Sequence, residues 1–391
     1  MENIRKVYAD NAATTAVSQH CLERMLPYFT EQYGNPSSLY SFGRENKKVL
    51  ENARKMTADA IGAALADEII FTSGGSESDN LAIKGYARAN VKKGKHIISS
   101  KIEHHAVFET LDALKKEGFE VTMLDVDSEG FVSPEALKNA MREDTILVTI
   151  MAANNEIGTV EPIAELAAIA HAGGAVFHTD AVQAVGHIPI NVVEMGIDML
   201  SMSAHKFNGP KGVGALYVKR GVRIQPMIHG GGQEKKRRSG TESVANIVGL
   251  ATALTDAVER LPAESVRLAA LRDKLIEGVM KMPKVILTGA TDMSKRLPGT
   301  ASFCINAIEG EALILRLDFM GICASTGSAC SSGSLDPSHV LLALGLPHEV
   351  AHGSLRLSLG HFNTEQDVDY ILEKLPQVVT ALRAMSPVWQ E

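Results

Sequence analysis

Between about residues 60 and 220, short apolar runs alternate with segments whose apolar residues recur at helical spacing. The helical segments include residues 79–93 and 163–173. The apolar runs are hydrophobic along nearly their whole length, which is typical of a parallel sheet that helices cover on both faces. The predicted strands have the sequences EIIFTS, HIISS, VTMLDV, TILVTIM, AVFHTD, IDMLSMS and GALYVK.

The pattern changes in the last third of the chain. A long helical segment is predicted from Val244 to about Lys281, with an interruption at Pro262. The runs ASFCIN and SLRLSLG lie on either side of a helix in GEALILRLDFMG, and Thr364 is the predicted N-cap of a terminal helix. The apolar stripe of that helix is formed by Val368, Ile371, Leu372, Leu375, Val379 and Leu382.

Length and composition suit a globular protein with two cores. The chain has 391 residues, of which 45% are hydrophobic and 22% are charged. We expect a large domain from residues 15–260. Residues 1–14 and 261–391 then form a smaller α+β domain, which carries a mobile cysteine loop at about residues 323–335.

The charge balance excludes some classes of partner. A net charge of −7 gives no general attraction to nucleic acid or to an anionic membrane. The local exception is KKRR, Lys235 to Arg238, which we expect to be solvated surface, with a phosphate or acidic-partner role as the alternative. The start of the sequence has no apolar signal segment, and no apolar run reaches ~20 residues, so we expect a cytoplasmic protein without a membrane span.

Unusual residues follow the predicted strands, where ligands bind in sheets of this kind. Ser73, Gly74 and Gly75 come after the strand EIIFTS and before a helix that opens near Ser76. Glycines allow close approach of a ligand, and a helix N-terminus favours an anion, so a phosphate is the natural guest. The segment lacks the patterns of nucleotide-binding loops.

Two further strand ends carry a lysine and a carboxylate. Lys206 lies in SMSAHKFNGPKG among small residues and beside His205, a setting in which lysines form Schiff bases. Asp180 ends the strand AVFHTD, with Gln183 three residues later. Asp180 either caps the next helix or pairs with a protonated ring nitrogen and so keeps a pyridinium charged.

The remaining candidates belong to the same predicted edge. His104 or His105 follows HIISS and can cover the face of a flat cofactor, and spacing does not distinguish the two. Asn154 and Asn155 follow TILVTIM, and Arg356 in SLRLSLG can grip a carboxylate with two hydrogen bonds. A phosphate cradle, a Schiff-base lysine, a ring-nitrogen carboxylate and a stacking histidine together indicate pyridoxal 5′-phosphate.

The four cysteines differ in their neighbours. Cys21 and Cys304 have apolar neighbours and are predicted core residues. Cys323 lies in the apolar run MGICAS, which suits a strand. Cys330 lies in GSACSSG among small residues, where few contacts would be lost if the loop moved, so it is a candidate carrier of a reactive thiol.

With these residues in place, the chain resembles the cysteine desulfurases of the group that contains the nitrogen-fixation and iron–sulfur-cluster enzymes. The matching segments run nearly from end to end: YADNAATT, YGNPSS, FTSGGSESDNLAIKG, NNEIG, HTDAVQAVG, SAHKFNGPKGVGALYV, GGGQE, RSGTES, STGSACSSGSLDPSHVLLALG and LRLSLGHFNT. The resemblance implies a fold-type-I pyridoxal-phosphate enzyme with a mostly parallel seven-stranded sheet and a smaller α+β domain. It also implies a homodimer that converts L-cysteine to L-alanine.

The resemblance also implies a role for each site residue. Lys206 is expected to form the Schiff base, Asp180 to bind the ring nitrogen, Gln183 to bind the ring hydroxyl and His104 to stack on the ring and carry protons. Cys330 is expected to take the sulfur as a persulfide for an acceptor, such as an iron–sulfur scaffold or a tRNA-thiolation protein. No resident metal is expected, although Cys330 could transiently ligate a cluster. The phosphate ligands implied are Gly75, Ser76, Ser203, His205 and, from the second subunit, Thr241; Asn155 contacts the cofactor and, with Arg356, the substrate carboxylate.

Two departures and three alternatives accompany this hypothesis. Ser76 stands where the family often has threonine, and the chain ends soon after Trp389, whereas some relatives have a longer tail that docks an acceptor. A selenocysteine lyase or another pyridoxal-phosphate lyase or aminotransferase of the same fold is the alternative activity. Cys323 is the alternative thiol, and a non-catalytic docking protein that has kept the fold is the alternative class.

Overall fold

The structure is a computed structural model, and it describes residues 5–327, 336–387 and 389. The strands are β1 Val7–Tyr8, β2 Ile69–Thr72, β3 His96–Ser100, β4 Glu120–Leu124, β5 Thr145–Thr149, β6 Val176–Asp180, β7 Met199–Ser203, β8 Gly214–Val218, β9 Val285–Leu287, β10 Thr300–Ile305, β11 Ile322–Cys323 and β12 Ser354–Ser358. The helices are α1 Gln19–Met25, α2 Pro27–Thr30, α3 Ser41–Ala60, α4 Gly75–Asn90, α5 His105–Lys116, α6 Pro134–Ala140, α7 Ile163–Ala172, α8 Val244–Val279, α9 Gly310–Phe319, α10 His339–Ala343, α11 His348–Ala351 and α12 Glu365–Arg383.

A seven-stranded sheet with the order β2-β8-β7-β6-β5-β3-β4 forms the centre of the larger part of the molecule. Each of the seven predicted strands is confirmed. The pairs β3–β4, β3–β5, β5–β6 and β6–β7 are parallel, and β8 runs antiparallel to both β2 and β7. Strands β2, β3, β5, β7 and β8 are buried at every position, in agreement with their continuous apolar sequences.

Helix α8 differs from its prediction, because it runs from Val244 to Val279 without a break at Pro262. Its first half contributes Leu250 and Leu254 to the large buried cluster beside the sheet. Its second half contributes Leu271 and Leu275 to another buried cluster further along the chain. The predicted interruption is wrong because proline removes one hydrogen bond, whereas burial on both sides of it holds the two halves in one helix.

The second cluster is built around a three-stranded antiparallel sheet with the order β12-β10-β9. The N-terminal strand β1 pairs in parallel with β11, and both strands contribute to this second cluster. The predicted cap of α12 is confirmed, since Thr364 precedes this helix and its backbone N–H donates to Asp367 at 2.9 Å. The predicted stripe of α12 is also confirmed, with Val368, Ile371 and Leu375 fully buried.

The structure shows the burial of three cysteines and the ion-pair partners of the basic run. Cys21 and Cys304 are buried as predicted, Cys323 lies exposed in β11, and Cys330 is outside the residues that the structure describes. In the basic run, Lys235 pairs with Asp67 and Arg238 pairs with Glu77. These partners lie within the same chain. No helix in the described part of the chain is long and apolar enough to cross a membrane.

Candidate active site

Strand direction brings the predicted site residues to one edge of the central sheet. Strands β3, β5, β6 and β7 are parallel, and β2 runs in the same direction because both it and β7 are antiparallel to β8. Their carboxyl ends therefore lie along one edge. The residues that end or follow these strands are Ser73 to Ser76 after β2, His104 after β3, Asn154 and Asn155 after β5, Asp180 at the end of β6, and Ser203 to Lys206 at the end of β7.

An anion cradle is formed where β2 turns into α4. Gly74, the N-cap of α4, has φ 155°, and a Cβ at Gly75 would lie 2.7 Å from Cγ2 of Val182, so the packing requires glycine at this position. A Cβ added at Gly74 would lie 3.7 Å from the hydroxyl of Ser203. Ser76 is exposed in the first turn of α4. Free amides, two nearby hydroxyls and a 16-residue helix dipole provide the donors that a phosphate needs.

His205 borders this cradle from the end of β7. Its Nδ1 lies 3.1 Å from the hydroxyl of Thr14. Burial first, and then the charges of Lys206 and Lys211, lower the pKa of His205 to about 4. The ring is therefore neutral at pH 7 and can contribute one N–H to an anion, but no positive charge. Thr241, the remaining predicted phosphate ligand, is exposed in the segment that precedes α8.

Lys206 and Gln183 converge on the N-terminal segment. The Nζ of Lys206 donates to the carbonyl of Ala12 at 2.6 Å and to that of Ala13 at 2.9 Å. The side-chain amide of Gln183 donates to the same Ala12 carbonyl at 2.9 Å. Residues far apart in sequence thus place an amine and an amide donor side by side.

Asp180 is a buried carboxyl at the end of β6. Its Oδ1 accepts a hydrogen bond from the backbone N–H of Val182 at 2.9 Å. Burial raises the pKa of Asp180, and the charges of His104 and Lys206 act in the opposite direction. A cation seated against this carboxyl would relieve the cost of its burial, because an opposite charge favours the ionised form.

His104 is the histidine that lies beside this carboxyl and amine. It is the N-cap of α5, and its Nδ1 accepts a hydrogen bond from the N–H of Ala106 at 3.1 Å, so the neutral ring carries its hydrogen on Nε2. Burial lowers the pKa of His104, with smaller contributions from Asp180, which raises it, and Lys206, which lowers it. His105 is exposed, and its ring lies 5.0 Å from that of His339.

Arg356 and Asn155 meet where the central sheet faces the smaller antiparallel one. Arg356 in β12 is only 3% exposed. Its Nη1 donates to the backbone carbonyl of Asn155 at 2.8 Å, and its Nη2 donates to the carboxylate of Asp10 at 2.8 Å. Its Nε is buried without a hydrogen-bond partner in the described structure. A buried guanidinium with an unused donor suits recognition of a carboxylate.

Some residues of the site were not anticipated. The carbonyls of Ala12 and Ala13 and the carboxylate of Asp10 lie in the site, and only the motif YADNAATT could have indicated this segment. Asp79 in α4 and Glu103 before His104 are buried carboxyls near Asp180, and burial raises the pKa of Glu103 to about 8. No periodicity signal distinguishes such side chains from ordinary core positions.

The residues present fit pyridoxal 5′-phosphate. The cradle at Gly74 and Gly75 offers anion donors that an added Cβ would obstruct, and Asp180 is an acceptor without a hydrogen of its own when ionised. Lys206 supplies a primary amine at the same sheet edge. Three chemically distinct parts of the cofactor, an anion, a basic ring nitrogen and an aldehyde, therefore have matching groups.

Comparisons with known proteins agree with this set of residues. The family model for aminotransferase class-V matches residues 7–371. A cysteine desulfurase IscS from Clostridium botulinum is 58% identical over 388 residues, which cover 99% of this chain and 98% of that protein. Among solved structures, a NifS-like protein has a TM-score of 0.90 at 41% identity and covers 97% of this chain, with all of its own chain matched.

A further similar solved structure is a complex with cysteine. It is SspA in complex with cysteine, with a TM-score of 0.80 at 37% identity, and the match covers 91% of this chain and 99% of that one. The family match spans far more than half of the sequence, and the identities extend over nearly the whole chain. This chain therefore belongs to the class-V aminotransferase family and, within it, to the pyridoxal-phosphate-dependent cysteine desulfurases.

Proposed function

We propose that this enzyme removes the sulfur of L-cysteine, releases L-alanine and holds the sulfur as a persulfide on Cys330. The observation that carries the proposal is the meeting of Lys206, Asp180 and His104 beside an anion cradle at one sheet edge. The relative with cysteine bound supports the choice of substrate. The bound cofactor supplies an electron-withdrawing pyridinium, which activates bonds around the substrate carbon.

Asp180, Gln183 and Lys206 organise the cofactor pocket in this proposal. Asp180 would hold the N–H of the ring nitrogen, and the amide of Gln183, which now donates to the Ala12 carbonyl, would hold the ring hydroxyl. Lys206 would be the attachment point for the aldehyde, and its Nζ, once the substrate amine has replaced it there, would take the α-proton of the substrate. Burial of Asp180 makes its charge more effective, because little water screens it.

Arg356 and Asn155 hold the substrate carboxylate. The guanidinium of Arg356 already lies against the Asn155 carbonyl and the Asp10 carboxylate, so its plane is fixed before substrate arrives. Its Nε has no hydrogen-bond partner among the described residues and so offers the arriving carboxylate one donor. This arrangement orients the substrate amine toward Lys206 and away from solvent.

Cys330 performs the sulfur transfer. Its sulfur forms a bond to the substrate sulfur while the substrate carbon–sulfur bond breaks, and the hydrogen of the thiol is returned to the three-carbon product. The sum is L-cysteine plus enzyme thiol giving L-alanine plus enzyme persulfide, without an added oxidant or reductant. His104 is the proposed carrier of this hydrogen: its Nδ1 releases the N–H of Ala106 and takes the hydrogen of the thiol, and the resulting imidazolium passes one hydrogen to the three-carbon product.

We also propose a cytoplasmic homodimer that passes sulfur to an acceptor protein, for iron–sulfur cluster assembly or tRNA thiolation. Large apolar side chains are exposed in α2 and in the segment between α2 and α3, namely Phe29, Tyr33, Leu39 and Tyr40. Such a patch is typical of a protein interface. Thr241 of the second subunit completes each phosphate site in this assembly.

We further propose that the chain divides into a large domain of residues 15–260 and a smaller domain of residues 1–14 and 261–391.

The experiment is single-turnover incubation with L-cysteine, followed by measurement of L-alanine and of the persulfide by mass spectrometry. We expect stoichiometric alanine and a persulfide on Cys330. Cys330→Ala should lose both while retaining the cofactor absorbance, and Cys323→Ala, the matched control at an exposed thiol, should resemble the wild type. Alanine production that survives Cys330→Ala, or a strong preference for selenocysteine, would refute the proposal.

A further inference from the structure

Glu156 is a buried carboxyl that the mechanism above does not use. It follows Asn155 in the NNEIG turn and is 6% exposed. Its backbone N–H donates to the side-chain oxygen of Asn154 at 2.8 Å. Burial raises the pKa of Glu156, and the charge of Arg356 acts in the opposite direction. A buried carboxyl is costly, so its partners indicate what it does.

The first partner is Ser338, whose hydroxyl donates to Oε2 of Glu156. Ser338 is the N-cap of α10, and its oxygen also accepts from the N–H groups of Val340 at 3.1 Å and Leu341 at 3.4 Å. A hydroxyl has one hydrogen to donate, so those two amides fix it as the donor toward Glu156. The start of α10 is thereby tied to the NNEIG turn.

The second partner is Gly327, which packs directly on the same carboxyl. A Cβ at Gly327 would lie 3.0 Å from Oε2 of Glu156, and its φ of 87° is one that other residues rarely adopt. Its N–H donates to the hydroxyl of Ser325 at 3.1 Å. Ser325 in turn exchanges backbone hydrogen bonds with Arg356, at 2.6 and 3.2 Å.

These contacts bring two distant points of the chain to one side chain. Gly327 is the last described residue before Cys330, and Ser338 is the N-cap of α10, the next described helix. Ser338 donates to Oε2 of Glu156, and Gly327 lies close enough that an added Cβ would come within 3.0 Å of the same oxygen. The residue before Glu156 is Asn155, whose carbonyl accepts from Arg356. One turn thus joins the proposed substrate-carboxylate residues to both ends of the cysteine-bearing segment.

We propose that Glu156 is a positioning residue for Cys330, and that it acts by holding Gly327 and Ser338 at fixed places relative to Asn155 and Arg356. This inference rests on the proposed function, in which Cys330 receives the sulfur. Holding both ends restricts the space that the thiol samples, and that restriction raises the fraction of time it spends within reach of the substrate sulfur. For this positioning role, residue 156 needs an oxygen that accepts the hydrogen bond of the Ser338 hydroxyl, but it does not need a negative charge.

The test compares Glu156→Ala with Glu156→Gln. The amide oxygen of glutamine still accepts from Ser338, whereas alanine leaves this hydroxyl without its partner. We expect Glu156→Ala to slow persulfide formation in a single turnover by ~10- to 100-fold, with the spectral change on L-cysteine binding unaltered. Glu156→Gln should recover most of the rate. The matched control is Glu161→Gln, because Glu161 is a buried carboxyl nearby that accepts instead from the N–H of Val132.

A second measurement requires no turnover of L-cysteine. The alkylation rate of Cys330 by iodoacetamide, followed by mass spectrometry without substrate, should change several-fold in Glu156→Ala and remain that of the wild type in Glu156→Gln and Glu161→Gln. If Glu156→Ala fails to fold, Gly327→Ala, which perturbs the other contact of Glu156, must slow persulfide formation in its place. The proposal would be overturned if Glu156→Ala, or Gly327→Ala in its place, formed the persulfide at the wild-type rate. It would also be overturned if Glu156→Gln were as slow as Glu156→Ala. Wild-type protein that forms no persulfide on Cys330 would refute the proposed function instead.

Discussion

Two buried aspartates at the active-site edge differ in the charged groups that surround them. Asp180 lies with His104 and Lys206, whose charges act against the effect of burial on its pKa. Asp79 is fully buried, its Oδ1 has no hydrogen-bond partner among the described atoms, and burial together with Asp180 raises its pKa well above the ordinary range. Burial and the charge of Asp180 therefore both favour the neutral form of Asp79, whereas His104 and Lys206 favour the ionised form of Asp180, the carboxyl that faces the ring nitrogen in the proposed function.

The first prediction follows from this difference in charge. Asp180→Asn removes a preorganised negative charge and should lower the rate of alanine formation by at least ~100-fold. Asp79→Asn replaces a carboxyl whose neutral form burial favours by an amide of similar shape and should change that rate little. Both variants are assayed with saturating cofactor after their far-ultraviolet circular dichroism has been compared with the wild type. Equal losses in the two variants would contradict the assignment of charge.

At the residue scale, the sequence indicated the side chains that end strands but not those that support them. Lys206 and Asp180 could be predicted because each ends or follows an apolar run and parallel strands share a carboxyl edge, whereas the choice of His104 over His105 came only from the family resemblance. Ala12 could not be predicted as a partner, since its contribution is a backbone carbonyl and any residue has one. Asp79 sits within a helix at core spacing, where its burial depends on tertiary contacts.

Helix α3 is linked to the glycine-rich segment before α8 by a buried ion pair. Arg54 donates to the carboxylate of Glu234 through two bonds, at 2.7 and 2.8 Å, and the N–H of Phe71 donates to the same carboxylate at 3.1 Å. Glu234, Lys235 and Lys236 have φ values of 44°, 55° and 65°. Such left-handed backbone persists when surrounding contacts enforce it, and this ion pair provides them.

The second prediction concerns this ion pair. Glu234→Ala leaves a buried guanidinium uncompensated and should lower the free energy of unfolding by ~3–5 kcal/mol. The control is Lys55→Ala on the same helix, where an exposed i,i+4 pair with Asp59 is lost and the expected change is below ~0.5 kcal/mol. Urea denaturation followed by circular dichroism gives both values. If Glu234→Ala lowers the free energy of unfolding no more than Lys55→Ala does, the ion pair does not stabilise the fold as described.

The predicted break in α8 was wrong at the scale of elements for a physical reason. A proline indicates where a helix loses a hydrogen bond, but the burial available to each half depends on what packs against it. Leu254 and Leu271, on either side of Pro262, are buried in different apolar clusters. The two clusters are formed by residues far apart in sequence, so local pattern alone could not show that one helix would span both.

For the whole molecule, buried titratable groups determine how stability depends on pH. The pKa of Glu103 and that of Glu161 are raised to about 8 by burial, while the pKa of His178 is lowered to about 3 and that of His187 to about 4. The folded state keeps protons on the glutamates that the unfolded chain has released above about pH 4.5, so stability falls as pH rises toward 8. The histidines are neutral when folded, so stability also falls as pH drops below about 6.5.

The third prediction isolates one contribution to this profile. Glu161→Gln removes a group whose pKa changes from 4.5 to about 8 on folding. The free energy of unfolding should therefore decline less steeply between about pH 5.5 and about pH 7.5 in the variant, by up to about 1.4 kcal/mol per pH unit. Urea titrations at several pH values within this window measure both slopes. Parallel slopes for wild type and variant would mean that Glu161 is ionised in the folded protein.

The fourth prediction tests whether the active site is a property of one chain or of two. If Thr241 serves the phosphate site of the partner subunit, a hybrid of a Lys206→Ala subunit and a Thr241→Ala subunit contains one site with both residues intact. Unfolding and refolding an equal mixture should therefore restore about a quarter of the wild-type sites, because half of the dimers are hybrids and each has one complete site.

The assay for these hybrids uses limiting pyridoxal 5′-phosphate, so that loss of a phosphate contact limits activity, and each variant is also refolded alone. Recovery in the mixture but in neither variant alone requires that chains exchange residues, since a Thr241 acting within its own chain leaves every Lys206-containing site defective. The exposed side chains of Phe29, Tyr33, Leu39 and Tyr40 provide an apolar face for such an assembly. Recovery should also disappear when Tyr33→Glu places a charge on this face in both subunits, because burying an unpaired carboxylate opposes association. Recovery that persists in the Tyr33→Glu background would locate the interface elsewhere on the molecule.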